Sequence, residues 1–385
     1  MNKNIITVFF STIFFLLIVY TISFFYIFSN YENNIKNTFK SKETLDFHKQ
    51  YSNKLHHLRD SDGRWEDKNN VNEYLFSVIN QFGNNKNNIL IQGDSWSEQF
   101  SDYQNSFDLL SEFVEENGIG LINAGVTSYS PTLMLLQYDI LENEFNLKPN
   151  VVVTYIDQTD IGDELCRYKN KRILNNKGKL IKVKKESFAS SVYDYTKIYF
   201  LSKLEFSNKT KFYKSILLLN FNIKYQAIRA IFRFKEILKV GWKNRDVSKC
   251  RFKEIQKYLI SSRASDTNYF EETLKNYFDQ LLQRDYIENI IVMTFPHKVH
   301  LFEVENLKKD KVVYSINVST IVDKLVKYEK KITHLNFTNL NKSKKITLTK
   351  NMYLKGDPTS HLNEEFHAKI FTKMIINQLK EISLK

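Results

Sequence analysis

The feature that most constrains this chain is an uncharged apolar run near its amino terminus. Residues Ile5 to Ser29 read IITVFFSTIFFLLIVYTISFFYIFS. A helix of roughly 20 such residues crosses the hydrocarbon core of a bilayer. A cleaved signal peptide has a shorter apolar region that ends in small residues, whereas this run is followed by Asn30, Tyr31 and Glu32. We therefore expect residues 1–30 to be an uncleaved anchor that contacts the membrane through residues 5–29.

The remainder of the 385-residue chain is long enough to bury a core of its own. It is rich in aromatic residues and poor in Gly and Pro, which excludes collagen-like and disordered chains. The net charge of +13 would suit an anionic partner. However, the basic residues are mostly Lys, are spread along the chain and belong to no recognisable nucleic-acid-binding module. We expect a solvated Lys-rich surface and no nucleic-acid partner.

The chain has only two cysteines, Cys166 and Cys250. They form no C-x-x-C motif and no Cys/His cluster at metal-ligand spacing, so no structural metal site is expected. Export of the domain to an oxidising compartment would allow one disulfide between them, and the sequence leaves that pairing open.

After the anchor, residues 31–86 are polar and favour helix, which predicts a helical stalk. From residue 87 the pattern alternates, with apolar strands at 88–92, 119–124 and 150–156 and amphipathic helices at about 105–117 and 131–145. Such alternation predicts an α/β domain whose parallel sheet is covered by helices. We expect this domain to extend over residues 87–385.

The alternation stops between about 170 and 265, where the chain becomes rich in Lys and aromatic residues. We interpret this region as a helical insertion within the domain. Its basic amphipathic helices are suited to lie on a membrane or to cover a substrate cleft, although such helices more often pack on their own domain. The sheet pattern then resumes with a helix at about 267–285, the strand Ile290 to Phe295, a helix near 316–330 and a last helix after His361.

The first candidate for chemistry is Ser95. The sequence Gly93-Asp94-Ser95-Trp96 directly follows the first strand, so Ser95 is expected at the carboxyl edge of the sheet, where ligands bind in open α/β folds. A helix that begins there directs backbone N–H groups at the same point, which suits a developing oxyanion. Asp94 and Ser95 are also common helix-capping residues, and the tripeptide alone favours that simpler interpretation.

The far end of the chain supplies the groups that a serine nucleophile needs. Asp357 and His361 lie on one segment before the terminal amphipathic helix. A hydroxyl, an imidazole and a carboxylate are thus all available for nucleophilic catalysis. Histidines also occur at His297 and His367, and only the joint pattern distinguishes His361 from them.

These motifs resemble, in order, those of the SGNH (GDSL) hydrolase superfamily, over about residues 88–385 with the insertion excluded. The resemblance rests on Gly93-Asp94-Ser95, Asn123-Ala124-Gly125-Val126 with Ser128-Tyr129-Ser130-Pro131 after it, the strand Ile291 to Pro296, and His361 followed by Asn363 and His367. It implies a flavodoxin-like, three-layer α/β/α sandwich with a mostly parallel sheet. It also implies Ser95 as nucleophile, His361 as base, and the N–H groups of Ser95 and Gly125 in an oxyanion hole.

Two positions depart from the family pattern. The third block usually reads Gly-x-Asn-Asp but is Asp157-Gln158-Thr159-Asp160 here, so Thr159 stands in place of the asparagine that donates to the oxyanion. The Thr159 hydroxyl can still donate one hydrogen bond, so Thr159 is the third residue expected in the oxyanion hole. Complete loss of one such donor lowers the rate roughly 100- to 1000-fold. The family acid usually lies three residues before the histidine, where this chain has Pro358. Either Asp357, four residues before, or a backbone carbonyl is then expected to orient His361.

The resemblance implies a serine esterase that acts on acyl esters, including O-acetyl esters, of envelope carbohydrate or lipid. It implies no cofactor and no metal. An O-acetyltransferase with the same site remains an alternative, as does a non-catalytic envelope protein that binds glycan or assists assembly. The residues expected to contact substrate are Asp94, Trp96, Asn123, Asp157, Gln158 and Asp160.

The anchor and the implied substrate together suggest a single-pass membrane protein with its catalytic domain outside the cytoplasm, on the periplasmic or extracellular face. The flanking charges oppose this orientation. Only Lys3 precedes the apolar run, whereas Lys36, Lys40 and Lys42 follow it.

Overall fold

The computed structural model describes residues 3–36, 38–59, 68–83, 85, 87–185, 195–240, 264–297, 301, 318–357 and 361–383. The chain divides into two compact units. The first comprises Met1–Tyr51, Asp60–Val71 and Lys185–Arg245, and the second comprises Ser52–Arg59, Asn72–Lys184 and Asp246–Lys385. Cys250 lies outside the described residues, so the structure leaves the pairing of Cys166 and Cys250 open.

The described strands are β1 Ser77–Asn80, β2 Asn88–Gln92, β3 Gly120–Asn123, β4 Val151–Tyr155, β5 Arg172–Leu174, β6 Leu180–Val183, β7 Asn289–Thr294 and β8 Ile332–Asn336. The described helices are α1 Lys3–Ser29, α2 Tyr31–Ile35, α3 Lys42–Lys54, α4 Ser95–Asp102, α5 Gln104–Glu116, α6 Pro131–Phe145, α7 Asp160–Gly162, α8 Thr196–Glu205, α9 Lys211–Val240, α10 Ala264–Leu282, α11 Val318–Val326, α12 Phe337–Lys342, α13 Glu364–Phe366 and α14 Lys373–Ser383. Short helical turns occur at Val71–Tyr74, Asp163–Tyr168, Lys169–Lys171, Lys350–Met352 and His367–Thr372.

The second unit is built on a six-stranded sheet of order β1-β3-β2-β4-β7-β8. The five strands from β3 to β8 pair in parallel, and β1 is antiparallel to β3 at the edge. The chain runs from β2 outward to β3 and then crosses back to β4 on the other side of β2. The strand order therefore reverses beside β2, and the crevice at its carboxyl end is the ligand site of open α/β sheets. The predicted α/β class with a mostly parallel sheet is confirmed.

Both faces of this sheet are covered, which explains why the inner strands β2, β4 and β7 are mostly apolar without alternation. All five residues of β4 are buried. On one face, Ile89 and Ile91 share a core with Leu110 of α5 and Ile375 of α14. On the other face, Gln92 donates to Gln137 of α6 at 3.0 Å. The sheet is thus the middle of three layers.

The second unit includes residues that we had predicted to form a stalk. β1 pairs with β3 through Val78 and Ile122, so the sheet starts before residue 87. Arg59 is buried, and its Nε forms a salt bridge with Glu98 Oε1 of α4 at 3.2 Å. The stalk interpretation missed both features because β1 has four residues, too few for a clear period, and a buried arginine has no local sequence signal.

The region predicted as a helical insertion is divided between the two units. Its first part is the antiparallel hairpin β5–β6, which belongs to the second unit. Helices α8 and α9 belong to the first unit, where Leu201, Leu204 and Leu218 share a core with Ile27 of α1 and Tyr31 of α2. Residues 186–194 and 241–263 of the predicted insertion lie outside the described residues. Residues Thr7–Ser29 of α1 are long and apolar enough to cross a membrane.

Candidate active site

Ser95 is the first residue of α4, directly after the turn that follows β2. Gly93 in this turn has φ of 153°, and a Cβ added there would lie 2.3 Å from Ser97 Oγ and 3.0 Å from Tyr155 O. Asp94 caps the helix, since its Oδ1 accepts a hydrogen bond from the Trp96 N–H at 3.0 Å. The strand thus passes into the helix within two residues, and the half-buried Ser95 begins that helix at the carboxyl edge of the sheet.

Ser95, His361 and Asp357 form one continuous chain of hydrogen bonds. Ser95 Oγ is 2.6 Å from His361 Nε2, and His361 Nδ1 is 2.8 Å from Asp357 Oδ2. The backbone N–H of His361 donates to the same carboxylate oxygen at 2.8 Å. An ionised carboxylate only accepts hydrogen bonds, so Nδ1 carries the imidazole proton and Nε2 accepts from the serine hydroxyl. This is the tautomer in which the imidazole can act as a base.

The segment around His361 is held by backbone pairing on both sides of the histidine. The Leu354 N–H donates to His361 O at 2.8 Å, and the Asn363 N–H donates to Met352 O at 2.9 Å. Tyr353 and Leu362 form an antiparallel bridge between these two bonds. The pairing brings Asp357 and His361 together although they are one residue further apart than in the family pattern.

The N–H groups expected in an oxyanion hole differ in their availability. Ser95 supplies the first N–H of α4, which has no acceptor within the helix. The Gly125 N–H donates to Asn123 Oδ1 at 2.9 Å. Asn123 is itself held beside α4, since its Nδ2 donates to Ser97 O at 2.9 Å and to Ser101 Oγ at 2.7 Å. In this conformation the Gly125 N–H is therefore occupied by its hydrogen bond to the Asn123 side chain.

Thr159 stands in the place of the family asparagine but has a local partner. Its N–H donates to Asp157 Oδ2 at 3.1 Å, and its hydroxyl donates to the same oxygen. Thr159 is buried, as is the neighbouring Gln158, whose Oε1 accepts from the Val318 N–H at 3.0 Å. No hydrogen bond described in the structure joins Thr159 or Gln158 to Ser95. The threonine satisfies a buried carboxylate instead of pointing to the expected oxyanion.

Three buried aspartates lie close together near His361. Burial and the charge of Asp157 raise the pKa of Asp94 well above its usual range, and burial with the charges of Asp94 and Asp157 does the same for Asp160. Burial also raises the pKa of Asp157, although hydrogen bonds from Thr159 and the nearby His361 favour its ionised form. Burial and mutual repulsion therefore both disfavour ionisation of all three carboxyl groups at once. Among the described residues, no three His, Cys, Asp or Glu are placed to hold a metal ion.

The residues expected to contact substrate lie in the interior. Each of the six has at most 3% of its surface exposed: Asp94, Trp96, Asn123, Asp157, Gln158 and Asp160. The Trp96 ring stacks on Tyr155 at 5.1 Å and lies 5.7 Å from the His361 ring, between centroids. Their burial differs from the sequence expectation of substrate contact, and Trp96 instead packs against His361 from the interior.

A buried network that sequence reasoning missed ties α4 to the segment after β3. Glu98 lies one helical turn after Ser95, and its Oε2 accepts from the N–H and the hydroxyl of Thr127 at 2.9 and 2.7 Å. Its Oε1 accepts from Arg59 Nε at 3.2 Å. Burial raises the pKa of Glu98, and the Arg59 charge opposes that rise. The network holds Thr127, two residues after Gly125, against the helix that begins at Ser95.

A second hydroxyl, imidazole and carboxylate are connected elsewhere in the same unit. Thr294 Oγ1 is 2.8 Å from His334 Nε2, and His334 Nδ1 is 2.6 Å from Asp323 Oδ1. Thr294 is 3% exposed, so its hydroxyl offers a substrate little access. This buried arrangement provides an internal comparison for the Ser95 site.

Replacing Gly125 with alanine is expected to distort the site. The new Cβ would lie 2.4 Å from the Glu98 N and 2.5 Å from the Ser97 C, and both are backbone atoms of α4. Overpacking of this kind costs about 1–3 kcal/mol and is relieved by backbone movement, here of the helix that carries Ser95. We expect a lower unfolding midpoint and slower ester hydrolysis. Gly83→Ala is the control for adding a methyl group to glycine, because the space around Gly83 is open and its backbone is not in the left-handed region. A Gly125 variant with unchanged stability and rate would contradict the packing.

His367 gives a prediction about pH and stability. It is buried, its Nδ1 is 2.8 Å from Ser106 Oγ, and burial lowers its pKa to about 3. In the unfolded chain this histidine has its ordinary pKa of about 6.5. Between about pH 3 and pH 6.5 the unfolded chain therefore binds a proton that the folded chain does not bind. The free energy of unfolding consequently falls as the pH drops below 6.5. Relative to His367→Gln, the parent should lose about 1.4 kcal/mol of unfolding free energy per pH unit in this window. Urea unfolding of both proteins at several pH values measures this, and a constant difference would contradict it.

Comparisons with known proteins identify distant structural similarities. No family model matches the sequence, and no curated protein matches it. An acetyl-xylooligosaccharide esterase from Geobacillus stearothermophilus is similar in structure at 12% identity and a TM-score of 0.37, over 76% of this chain and 94% of the esterase.

Two further structures are similar at the same level. An α/β hydrolase from the metagenome of Lake Arreo, Spain, has 9% identity and a TM-score of 0.35, over 76% of this chain and 95% of its own. An acetyl xylan esterase from the rumen bacterium Butyrivibrio proteoclasticus has 8% identity and a TM-score of 0.32, over 78% of this chain and 66% of its own. Similarities this distant do not carry the activity of those proteins over to this chain.

Proposed function

We propose that this chain is a serine ester hydrolase that removes acyl groups, including O-acetyl groups, from envelope carbohydrate or lipid. The observation that carries the proposal is the relay from Ser95 Oγ through His361 to Asp357, with contacts of 2.6 and 2.8 Å. A hydroxyl becomes a nucleophile when a neighbouring base takes its proton and a third group orients that base. Ser95 also lies at the end of the sheet where open α/β folds bind their ligands.

The reaction begins when Ser95 Oγ attacks the ester carbonyl carbon and its proton moves to His361 Nε2. Asp357 accepts the hydrogen bond from the Nδ1–H throughout and stabilises the imidazolium that forms, but it does not become protonated. The carbonyl oxygen becomes an oxyanion, which the Ser95 N–H at the start of α4 is oriented to stabilise. The Gly125 N–H also donates to the oxyanion, but only after its hydrogen bond to Asn123 Oδ1 has broken.

The tetrahedral intermediate then collapses. The bond to the leaving alcohol breaks, His361 gives its proton to that alcohol oxygen, and the acyl group stays on Ser95. Water attacks the acyl-enzyme with His361 again as base, which releases the carboxylic acid and restores the serine. If a sugar hydroxyl replaces water in this second half, the same residues perform O-acetyl transfer.

The apolar helix α1 supports a setting at the membrane. We propose that the chain is a single-pass protein with its catalytic unit on the periplasmic or extracellular face, where acylated envelope carbohydrates and lipids are found. The substrate class follows from the family resemblance, and the site geometry supports only the ester chemistry.

A non-catalytic envelope protein is a second candidate, favoured by one observation. Two expected oxyanion donors, the Gly125 N–H and the Thr159 hydroxyl, have acceptors at Asn123 and Asp157. A serine lacking those donors would react slowly, and a chain with this fold could bind acylated glycan without cleaving it. Glycan binding with no turnover would support this candidate.

Burst kinetics with p-nitrophenyl acetate test the proposal on the full chain in detergent. An acyl-enzyme predicts rapid release of nitrophenol equal to the amount of protein, followed by slower turnover. Acetate released from acetylated oligosaccharides, with and without a sugar acceptor, then separates hydrolysis from transfer. A folded chain with no burst and no acetate release would contradict the enzymatic proposal.

A further inference from the structure

A pocket of about 480 Å³ lies between α6, α10 and the hairpin β5–β6. The residues that line it do not include Ser95, His361 or Asp357. Its wall on α6 extends from Pro131 to Asp139, which is about 12 Å of helix. Pockets that hold small molecules usually have volumes of roughly 300–1,000 Å³. This pocket is therefore large enough for a ligand, and its length suits a short chain of linked units.

Two residues that line the pocket each have a buried polar atom without a hydrogen-bond partner among the described residues. The atoms are Arg172 Nε on β5 and Tyr269 Oη on α10. The Tyr269 ring is held in place, since Lys169 Nζ lies 4.1 Å and Arg172 Cζ 5.3 Å from its centroid. Burial raises the pKa of Tyr269 to about 12, so its hydroxyl keeps the proton that it can donate. Nearly all buried polar atoms in folded proteins have a partner, so these two indicate donors that a bound molecule or water completes.

Most charges around the pocket are neutralised within the protein. Arg172 Nη2 lies 3.1 Å from Oε2 of the buried Glu164. Lys179 Nζ lies 2.8 Å from Asp139 Oδ2, and Asp139 Oδ1 also lies 2.7 Å from Arg284 Nη2. A charged ligand would be attracted to one member of each pair and repelled by the other. The balance of charge therefore favours a neutral ligand.

The polar side chains that remain at the rim provide both donors and acceptors. Glu272 and Asn276 lie one turn apart on α10, and Lys177 lies in the turn between β5 and β6. All three are exposed, and no hydrogen bond or ion pair joins their side chains to another described residue. A carboxylate accepts, an ammonium donates and an amide does both. Sugar hydroxyls also donate and accept, so this mixture is suited to them. Apolar surface for the C–H groups of a sugar ring is supplied by four leucines, Leu135, Leu136, Leu174 and Leu180.

We propose that this pocket binds a neutral oligosaccharide, at a site separate from the Ser95 relay. Glu272 and Asn276 bind sugar hydroxyls at the rim, and the leucines pack against the C–H surface of the rings. Arg172 and Tyr269 supply the two donors that lack a partner, directly or through water. The inference does not depend on the chemistry of Ser95, because the pocket would hold a glycan in an esterase and in a non-catalytic protein alike.

Titration with defined trisaccharides tests the pocket. The full chain is kept in lauryldimethylamine oxide, a detergent whose headgroup contains no sugar. Binding of maltotriose, cellotriose and chitotriose is measured by calorimetry, and trigalacturonic acid is the anionic counterpart. The test variant combines Glu272→Ala with Asn276→Ala. The matched control combines Glu271→Ala with Asn268→Ala, which removes the same residue types from positions of α10 that do not line the pocket.

At least one neutral trisaccharide is expected to bind the parent and the control equally well. The test variant should bind it about tenfold more weakly, as the loss of two hydrogen bonds of ordinary strength predicts. Trigalacturonic acid should bind the parent more weakly than the neutral sugar does. The reaction with p-nitrophenyl acetate should be the same in parent and test variant, which separates this inference from the proposed hydrolysis.

Three results would overturn the proposal. A folded parent that binds no neutral trisaccharide would show that the pocket is not a sugar site. Equal binding by the parent and the test variant would place the sugar elsewhere on the protein. Tighter binding of trigalacturonic acid than of every neutral trisaccharide would show that the ligand is anionic.

Discussion

Replacing Ser95 with alanine is expected to lower kcat for ester hydrolysis by on the order of a millionfold, as loss of the nucleophile does in serine hydrolases. Without Oγ there is no group 2.6 Å from His361 Nε2 to receive the acyl chain. The fold should be unaffected, since the half-buried Ser95 hydroxyl makes its described contact only with His361. Steady-state hydrolysis and unfolding of the variant measure both expectations.

The matched control is Ser111→Ala, which removes a serine hydroxyl from the surface of α5, where it donates to Glu115. This control should retain the parent rate. Because Ser95 and His361 act as one unit, the double variant with His361→Ala should lose little more than either single variant. A Ser95→Ala protein with more than a tenth of the parent rate would show that another group is the nucleophile.

The second large effect is expected from Asp357→Asn, which should lower kcat about 10,000-fold at neutral pH. Asp357 Oδ2 accepts from both Nδ1 and the backbone N–H of His361. An asparagine amide that donates to Nδ1 would leave the imidazole proton on Nε2, which is the wrong tautomer for a base. It would also remove the negative charge that stabilises the imidazolium. The rate of the variant over a range of pH measures the effect.

Asp323→Asn is the control for Asp357→Asn. Asp323 Oδ1 lies 2.6 Å from His334 Nδ1, so the substitution changes the same kind of contact between a carboxylate and a histidine. This second relay ends on the hydroxyl of the buried Thr294. The rate should stay near that of the parent. Similar losses in both variants would indicate a general effect on folding. An unchanged rate in Asp357→Asn alone would mean that a backbone group orients His361.

The residues of the proposed relay could be located from the sequence because their motifs occur together in one order, although no single motif is distinctive alone. The apolar strand before Gly93-Asp94-Ser95 fixes the strand-to-helix turn. His361 and Asp357 share one short segment, and pairing of the flanking residues brings them together. The spacing did not decide between Asp357 and a backbone carbonyl as the partner of His361. The 2.8 Å contact between His361 Nδ1 and Asp357 Oδ2 supports the carboxylate.

The partners of the expected oxyanion donors could not be read from motif positions. Thr159 aligns with a donating asparagine, but its hydroxyl satisfies Asp157, a buried carboxylate that needs hydrogen bonds. Asn123 in turn accepts from the Gly125 N–H. A motif specifies which residues are near one another. The competition between buried donors and acceptors decides which bonds form, and that depends on packing.

Two further features could not be predicted because they depend on contacts between residues far apart in the sequence. Arg59 reaches Glu98 across 39 residues of sequence, and no periodic pattern connects them. The end of the apolar run packs with α8 and α9, about 170 to 200 residues later in the chain. Hydropathy predicted that this run is a membrane anchor but carried no information about the helices that cover its last turns.

The most direct test of the central claim is covalent labelling of the full chain with a fluorophosphonate, followed by mass spectrometry of the labelled peptide. The relay from Ser95 to His361 and Asp357 predicts one modified residue, Ser95, and no labelling in the Ser95→Ala and His361→Ala proteins. Loss of labelling in both variants would establish an activated serine and its base. A folded parent that remains unlabelled, or that is labelled at a different residue, would contradict the assignment of Ser95 as the nucleophile.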